Sequence, residues 1–320
     1  WEDFYITYRS SLNLATGHGL VFNHGDRLHT FTSPLGVLLP ALASLLTLNS
    51  SDTAALWIFR VMCSAAFGGA AAFLVAGAQA RRWALTATLL LAAWFVTDAK
   101  SVDFTINGME TGLLLFFLAY SWWALSTSGR RRILHLGVAW AGVMWTRPDG
   151  CIYIALLGAT AWLFHDAKAT GESRMQLLAG LAKAGALCAL LYLPWFLSAW
   201  WYYGTPVPHT ITAKNAVSGA RSLSGLLQAA VLLPVRLWQT DGTALQAMFL
   251  PSYFVIGGWP TWIVAVGRLV ALIAGLLWLC PGVDRATRAV SLVFYGGSVY
   301  LSYFPYFPFP WYLPGVALFG

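Results

Sequence analysis

The chain has 320 residues, of which 58% are hydrophobic and only 10% are charged, and its formal net charge is +7. A soluble domain would carry about a quarter charged residues, so this composition excludes an ordinary soluble protein and indicates an integral membrane protein. Long continuous apolar runs, without the alternation of barrel strands, predict an all-α polytopic membrane bundle.

Residues 1–54 are the most polar part of the sequence, and we expect them to form a first extracytoplasmic loop. Apolar side chains at helical spacing over residues 4–16 predict an amphipathic juxtamembrane helix that lies on the membrane. Residues 34–48 are apolar but number only 15, which is short for a span. We therefore expect a re-entrant or interfacial helix there, with a tilted full span as the alternative.

The rest of the sequence consists mainly of apolar segments joined by short loops. Candidate spans lie at residues 55–79, 83–98, 109–127, 132–146, 149–165, 175–201, 260–281, 287–304 and 310–320. We expect residues 55–201 to form a transmembrane core of about six helices, residues 202–259 an extracytoplasmic loop with a surface helix, and residues 260–320 further, truncated helices. The abrupt start and the end inside an apolar run indicate a piece of a longer protein that lacks a first helix and some C-terminal ones.

Basic residues cluster in a subset of the loops, and these loops should be cytoplasmic because positive charge is retained on that side. They are Arg81-Arg82, Arg130-Arg131-Arg132, residues 166–174 and residues 284–288. Successive loops alternate between the two faces of the membrane, with all of these basic loops on the same side, when residues 34–48 do not span it. The outer face then receives residues 1–54, 98–108, 146–150, 202–259 and 304–310. We attribute the net charge to this topology and not to nucleic-acid binding.

Three acids on the outer face are candidates for chemistry. Glu2 and Asp3 are adjacent, and their mutual repulsion suits general-base work or the binding of a divalent metal. The alternative is a solvated helix start, where acids complement the helix dipole. Glu110 follows Asn107 at the outer mouth of a predicted span. A carboxylate at that depth needs a wet cavity or a cation, unless it is simply a helix N-terminal acid.

Several basic side chains on the same face are candidates for holding an anion. Arg147 occupies a tight turn, where it either pairs with Asp149 or binds a phosphate, whose geometry a guanidinium matches. Arg60 lies in the outer half of a span and needs an anionic partner or a snorkelling route. His209 and Lys214 follow a proline-stiffened loop, in which a lone histidine is otherwise simply solvated.

Aromatic and proline residues form a wall at residues 303–314, which includes Trp311 and Tyr312. Such a wall is typical of an interfacial belt, and it is equally suited to stacking on a sugar ring or a lipid.

Six motifs between residue 1 and about residue 215 occur in a specific combination. They are Glu2-Asp3-Phe4 with Ile6 and Arg9, Gly17-His18-Gly19-Leu20-Val21-Phe22-Asn23, Thr32-Ser33-Pro34-Leu35, Gly108-Met109-Glu110-Thr111, Thr146-Arg147-Pro148-Asp149-Gly150, and Tyr203-Gly204-Thr205-Pro206-Val207-Pro208-His209-Thr210 with Lys214. Together they resemble the GT-C superfamily of polytopic glycosyltransferases, and most closely the bacterial branch that includes the mycobacterial terminal β-(1→2) arabinofuranosyltransferase. Protein O-mannosyltransferases and the lipid A aminoarabinose transferase are more distant.

The resemblance implies an inverting transferase of the bacterial plasma membrane that moves a sugar from a polyprenyl-phosphate donor to a cell-envelope glycan, lipid or protein on the extracytoplasmic face. It implies Asp3 as general base, Glu2 beside it as a metal ligand or orienting group, and Glu110 as a group that positions the acceptor or metal. The residues implied in holding the donor phosphate are Arg147, Lys214, Arg60 and His209. Those implied in lining the acceptor or sugar are Arg9, His18, Asn107, Trp311 and Tyr312. A divalent metal at Glu2 and Asp3 is the one cofactor considered.

The sequence departs from the family pattern at three points. The first acid is Glu2 rather than Asp, His209 replaces an Asn, and no Arg precedes Trp311 in the last outer loop. These departures concern the sugar and the acceptor more than the reaction class.

Two other functional classes stay open from the residues alone. A transporter or flippase for lipid-linked sugars would show polar residues at mid-depth along several spans, where this sequence has almost none. If the protein were a non-catalytic lipid-binding subunit, the activity of its complex would not depend on the carboxylates.

Overall fold

The computed structural model describes residues 2–129, 131–218, 222–239, 247–253, 256–303 and 309–320, apart from the side chains of residues 2, 3, 214–218 and 239. This described part of the chain is helical throughout, with no strand. The predicted all-α membrane fold is confirmed.

The described helices run through the chain as short and long segments. In order they are α1 (Glu2–Ala15), α2 (Pro34–Leu46), α3 (Asp52–Ala80), α4 (Leu85–Thr97), α5 (Ala99–Ile106), α6 (Thr111–Ser126), α7 (Arg132–Thr146), α8 (Cys151–Leu163), α9 (Ala167–Thr170), α10 (Arg174–Tyr203), α11 (His209–Ser218), α12 (Leu223–Gln239), α13 (Thr261–Leu276), α14 (Arg285–Tyr303) and α15 (Leu313–Ala317). Three-residue 3₁₀ turns lie at Pro148–Gly150, Leu277–Leu279 and Pro310–Tyr312. The helices expected near residues 4–16 and 34–48 are therefore present as α1 and α2, and α12 lies in the segment 202–259, where a further helix was expected.

Serine side chains fix where the first two apolar helices begin. Ser33 Oγ accepts a hydrogen bond from the backbone N–H of Gly36 at 2.8 Å, and Ser51 Oγ accepts one from Ala54 at 3.2 Å. Each bond satisfies a donor that the helix itself leaves unpaired. Pro34 follows the first cap, at a position where its missing N–H costs nothing.

Three segments are long and apolar enough to cross a membrane, namely α3, α10 and Thr261–Leu279. The pair α4 and α5 forms a fourth candidate that is broken by a 48° bend. Other apolar helices are shorter; the 16 residues of α6 cover about 24 Å, less than the ~30 Å hydrocarbon core. The chain is a multi-pass membrane protein in which several apolar helices fall short of a full span.

Asp98 accounts for the bend between α4 and α5. Its carboxylate accepts hydrogen bonds from the backbone N–H of Ser101 at 3.0 Å and from the hydroxyl of Ser101 at 2.6 Å, which caps a new helix. Lys100 is buried, lies 2.7 Å from the same carboxylate and donates to the carbonyl of Leu250 at 2.6 Å. The segment 98–108, expected to be a loop, therefore begins with α5.

Residues 310–320 also differ from the sequence expectation. A truncated span was predicted there, whereas the structure has the 3₁₀ turn Pro310–Tyr312 followed by the five-residue α15. Pro310 and Pro314 each lie in the first turn of one of these pieces, because a proline cannot donate the hydrogen bond that would continue a preceding helix.

The described chain divides into two compact units. The first comprises Trp1–Ala92, Val102–Cys151 and Lys183–Val217, and the second comprises Ala93–Ser101, Ile152–Ala182 and Ser218–Gly320. The second unit is built on α14, which packs against α12, α13 and the turn Leu277–Leu279.

The first unit is built on the pair α3 and α6. A side chain at Gly112 would place its Cβ 2.3 Å from the backbone oxygen of Cys63, so glycine permits the close approach of these helices. α6 also packs on α7, while α1 packs on α2 and α2 on α3. Phe4, Tyr8 and Phe59 form part of the core that joins α1 to α3. This unit contains all six motif segments.

Candidate active site

The start of α1 is anchored by Phe4, which is 2% exposed. Its ring stacks on Tyr8 at a centroid distance of 5.2 Å and on Phe59 of α3 at 6.1 Å. Gly108 approaches the same ring so closely that an added Cβ would lie 2.8 Å from a ring carbon. The backbone of Glu2 and Asp3 is thereby held beside the turn that precedes α6, although the side chains of both acids lie outside the described part of the structure.

The turn before α6 depends on glycine and on two hydrogen bonds. Gly108 has a φ of +100°, a conformation that residues with a side chain rarely adopt. Asn107 Oδ1 accepts a hydrogen bond from the N–H of Met109 at 3.1 Å, and the thiol of Cys63 contacts the Met109 carbonyl at 3.6 Å. This arrangement places Glu110 at the N-terminal cap of α6, as the helix-mouth position predicted.

Glu110 is 9% exposed and lies within a cluster of charged groups. Its Oε1 is 3.9 Å from Arg147 Nη1, and its Oε2 is 3.4 Å from where a Cβ on Gly36 would lie, in the first turn of α2. Burying a carboxylate is costly unless a cation or a helix N-terminus offsets its charge, and here both are present. Three motifs that are separate in the sequence therefore meet at this carboxylate.

Arg147 is shared between two acids. Its Nε donates to Asp149 Oδ1 at 3.0 Å and its Nη2 donates to Asp149 Oδ2 at 3.3 Å, in addition to its approach to Glu110. Of the two sequence alternatives, the pair with Asp149 is therefore formed. Arg147 is 7% exposed, so this guanidinium is a buried organising charge.

Arg60 has fewer polar contacts than Arg147. It is half-buried on α3, and its guanidinium carbon lies 5.0 Å from the centre of the Trp57 ring. Its Nε is buried and has no hydrogen-bond partner among the residues that the structure describes. Arg60 precedes Cys63, which contacts the turn at Met109, by one helical turn.

His209 is bound to a second histidine that the sequence did not single out. The N–H of His29 donates to His209 Nδ1 at 3.1 Å, and the N–H of His209 donates to the carbonyl of His29 at 2.9 Å. The ring of His29 stacks on Tyr203 at 4.6 Å, and the Tyr203 hydroxyl donates to the carbonyl of Leu20 at 2.6 Å. No local pattern signals this contact, because the two histidines come from distant segments.

His29 is buried as a neutral imidazole. Burial lowers its pKa to about 4, the nearby His209 acts in the same direction, and a hydrogen bond with the backbone of Thr205 opposes them. The backbone bonds between His29 and His209 tie the first loop to the start of α11. With Nδ1 of His209 already accepting a backbone N–H, only its Nε2 is available to donate to a ligand.

Arg9 and His18 contact the first loop itself. Arg9 donates from Nε to the carbonyl of Phe22 at 3.0 Å and from Nη2 to Asn23 Oδ1 at 3.3 Å. His18 stacks on His24 at 4.1 Å. Arg9 and His18 are exposed, and these contacts hold the loop. Their predicted roles in lining a sugar stay predictions.

The remaining predicted site residues lie in the second unit or have side chains outside the described part of the structure. The side chain of Lys214 lies outside the described part. Trp311 and Tyr312 belong to the second unit, where Trp311 stacks on Phe309 at 4.5 Å. Within the described residues there is no group of three or more metal-ligating side chains, and the proposed ligands Glu2 and Asp3 are not among those side chains.

Two proteins named terminal beta-(1->2)-arabinofuranosyltransferase are similar to this chain. The one from Corynebacterium glutamicum is 30% identical over 241 residues, which cover 67% of this chain and 33% of the relative. The one from Mycobacterium tuberculosis is 24% identical over 269 residues, which cover 74% of this chain and 38% of the relative. The chain thus spans just over a third of their length at most. No family model and no solved structure matches it.

Proposed function

This chain is related to terminal β-(1→2)-arabinofuranosyltransferases, which confirms the resemblance seen in its motifs, and on that premise we propose that it is the catalytic membrane part of a glycosyltransferase. It transfers a sugar from a polyprenyl-phosphate donor to a cell-envelope glycan, lipid or protein. The reaction takes place at the extracytoplasmic face of the bacterial plasma membrane and inverts the anomeric configuration.

The observation that carries this proposal is the meeting of separate motifs at Glu110. The start of α2 at Gly36, the turn at Gly108 and the pair of Arg147 with Asp149 surround one buried carboxylate. Phe4 joins the beginning of α1 to the same turn, so the backbone of Asp3, which directly precedes Phe4, lies beside this cluster. Charged groups gathered at helix ends in an apolar protein are costly, which favours a functional role for them.

The chemistry divides between a base and a set of groups that hold the leaving phosphate. Asp3 accepts the proton of the acceptor hydroxyl as that oxygen attacks the anomeric carbon of the donor. The bond from this carbon to the phosphate oxygen breaks, and polyprenyl phosphate leaves with the electron pair. Glu2 orients Asp3 or shares a divalent metal with it.

The geometry refines the roles of the basic residues. Arg147 is occupied by two carboxylates, so it organises Glu110 and presents only part of its guanidinium to a ligand. Arg60 has a buried Nε without a described partner, which makes it the better candidate for binding the donor phosphate. Lys214 and Nε2 of His209 complete the set of donors.

Transfer by the full-length protein from a synthetic polyprenyl-phosphate sugar tests this function. Asp3→Asn should lower the transfer rate by about 10²–10⁴-fold, the usual contribution of a general base. Asp26→Asn, the same change at an exposed acid of the first loop, should leave the rate unchanged. A wild-type rate for folded Asp3→Asn would overturn the assignment of the base.

The same preparation separates the enzyme from the other classes. Movement of the lipid-linked sugar across vesicles without any transferred product would identify a transporter or flippase. Binding of the donor without transfer or movement would identify a lipid-binding subunit.

A further inference from the structure

A second basic site lies within the second unit, among residues that belong to none of the six motifs. It is a cavity of about 350 Å³ at the junction of α8, α10 and α14. The residues that line it are Leu163, Phe164, His165, Arg174, Trp278, Arg285 and Arg288. Three arginines and no carboxylate therefore form its described lining.

The arginines are held in place by aromatic rings and backbone carbonyls. Arg288 lies over the ring of Phe164 at 4.8 Å and donates from Nε to the carbonyl of Trp278 at 2.9 Å. Arg285 donates from Nη1 to the carbonyl of His165 at 2.9 Å. Neutral carbonyls orient these guanidinium groups without cancelling their charge, so the cavity keeps a net positive potential.

The carboxylates near the cavity offset this charge only in part. Asp166 lies 3.3 Å from Arg285, in a pair that is about half exposed. Asp284 accepts hydrogen bonds from Ala286 and Thr287 and so caps α14. Glu172 lies in the same loop as Asp166, and none of these three acids belongs to the cavity lining, which contains the three arginines without a carboxylate among them.

The position of the arginines on their helices adds to the positive potential. Arg174 is the first residue of α10, and Arg285 and Arg288 lie in the first turn of α14. The N-terminus of a helix carries a partial positive charge, so cations are disfavoured there. An anion bound between these two helix starts would relieve the repulsion among all of these groups.

We propose that this cavity binds the phosphate of an anionic ligand, with the guanidinium groups of Arg174 and Arg288 as its principal contacts. Leu163, Phe164 and Trp278 give the lining an apolar side, which suits a phospholipid headgroup at a membrane surface; inorganic phosphate carries the same recognised group. The loops 166–174 and 284–288, which border the cavity, are those predicted to be cytoplasmic. The site is independent of the proposed sugar transfer.

The test uses the full-length protein in detergent, with lipid binding followed by native mass spectrometry. Phosphatidylglycerol should bind, and zwitterionic phosphatidylcholine should bind about tenfold more weakly, because it lacks net negative charge. Arg174→Gln/Arg288→Gln should raise the dissociation constant of phosphatidylglycerol about tenfold. Lys168→Gln, at an exposed residue of α9 outside the lining, should leave it unchanged.

The source of the phosphate is decided by competition. Displacement of phosphatidylglycerol by millimolar inorganic phosphate would identify soluble phosphate as a ligand, and retention of the lipid would identify the headgroup. Equal binding of both lipids, or equal binding by wild type and the double variant, would overturn the proposal. Arg174→Gln alone changes an exposed side chain and provides the same comparison if the double variant does not fold.

Discussion

Glu110 and Arg147 form a buried pair in which Nη1 lies 3.9 Å from Oε1, and Arg147 is also bound at two points to Asp149. One guanidinium thus contacts two carboxylates, one at the start of α6 and one in the 3₁₀ turn that follows α7. Since its partners come from two different turns, the pair fixes the relative position of the motifs that contain them.

Removing the cation from this cluster should destabilise the fold. Arg147→Gln leaves Glu110 buried without its cation, and we expect the free energy of unfolding to fall by about 3 kcal/mol, a typical cost for breaking a buried ion pair. Thermal unfolding of the purified protein in detergent measures the change. Glu110→Gln should cost less, because Arg147 keeps its contacts with Asp149.

The double variant Arg147→Gln/Glu110→Gln separates charge burial from lost packing. We expect it to be more stable than Arg147→Gln alone, because no carboxylate is then buried at position 110. If the losses in free energy of unfolding of the two single variants simply added in the double variant, the two residues would not interact.

Gly108 offers a test of how α1 is positioned. Gly108→Ala introduces a Cβ 2.8 Å from the ring of Phe4 at a φ of +100°, so α1 must shift. Since a displacement of about 1 Å in a catalytic group can cost ~10²-fold in rate, we expect a loss of that order in sugar transfer.

Gly25→Ala is the matched control for backbone strain. Gly25 has a φ of +89° and nothing within 4 Å of an added Cβ, so its variant carries the strain without the clash. Both variants should lose similar stability from the strained φ, about 1–2 kcal/mol. Comparable activity in the two variants would show that the contact of Gly108 with Phe4 does not position the site.

The sequence is sufficient to predict α1, α2 and the helix-mouth position of Glu110, because caps and helical spacing are local properties. Ser33 and Pro34 specify the start of α2 by themselves, and the glycine of the Gly108 turn signals a position that a side chain would strain. The spacing also predicts most of the apolar helices.

Contacts between distant segments are not encoded in such local patterns. The backbone pairing of His29 with His209 depends on how α10 returns to the first loop, and the bidentate bond of Arg147 to Asp149 was one of two open alternatives. The helix over residues 99–106 was missed because Asp98 caps it, a role that its position in a presumed loop did not suggest.

Arg60 should contribute to donor binding. We expect Arg60→Gln to lower kcat/KM for the polyprenyl-phosphate donor by about ten- to a hundredfold, which corresponds to the loss of a charge-assisted hydrogen bond. Arg60→Lys keeps the charge but not the planar fork, so its loss should be smaller. Steady-state transfer at varied donor concentration measures both.

Arg82→Gln is the control for a general change of surface charge. Arg82 is exposed and lies in a loop predicted to be cytoplasmic, so its variant should keep the wild-type kcat/KM. Equal losses in the two Gln variants would indicate a non-specific electrostatic effect.

His29 should make the stability of the first unit depend on pH. Its pKa falls from 6.5 to about 4 in the folded chain, chiefly through burial, so the unfolded chain takes up a proton at a higher pH than the folded one. The stability from His29 is therefore fully present above pH 6.5 and is lost as the pH falls towards 4, by about 3 kcal/mol at most. His29→Gln removes this titration and should flatten the change in unfolding temperature between pH 7 and pH 4.5, whereas His18→Gln, at an exposed ring, should keep it. If the unfolding temperature of His29→Gln still changes between pH 7 and pH 4.5 as it does in the wild type, another group causes the pH dependence.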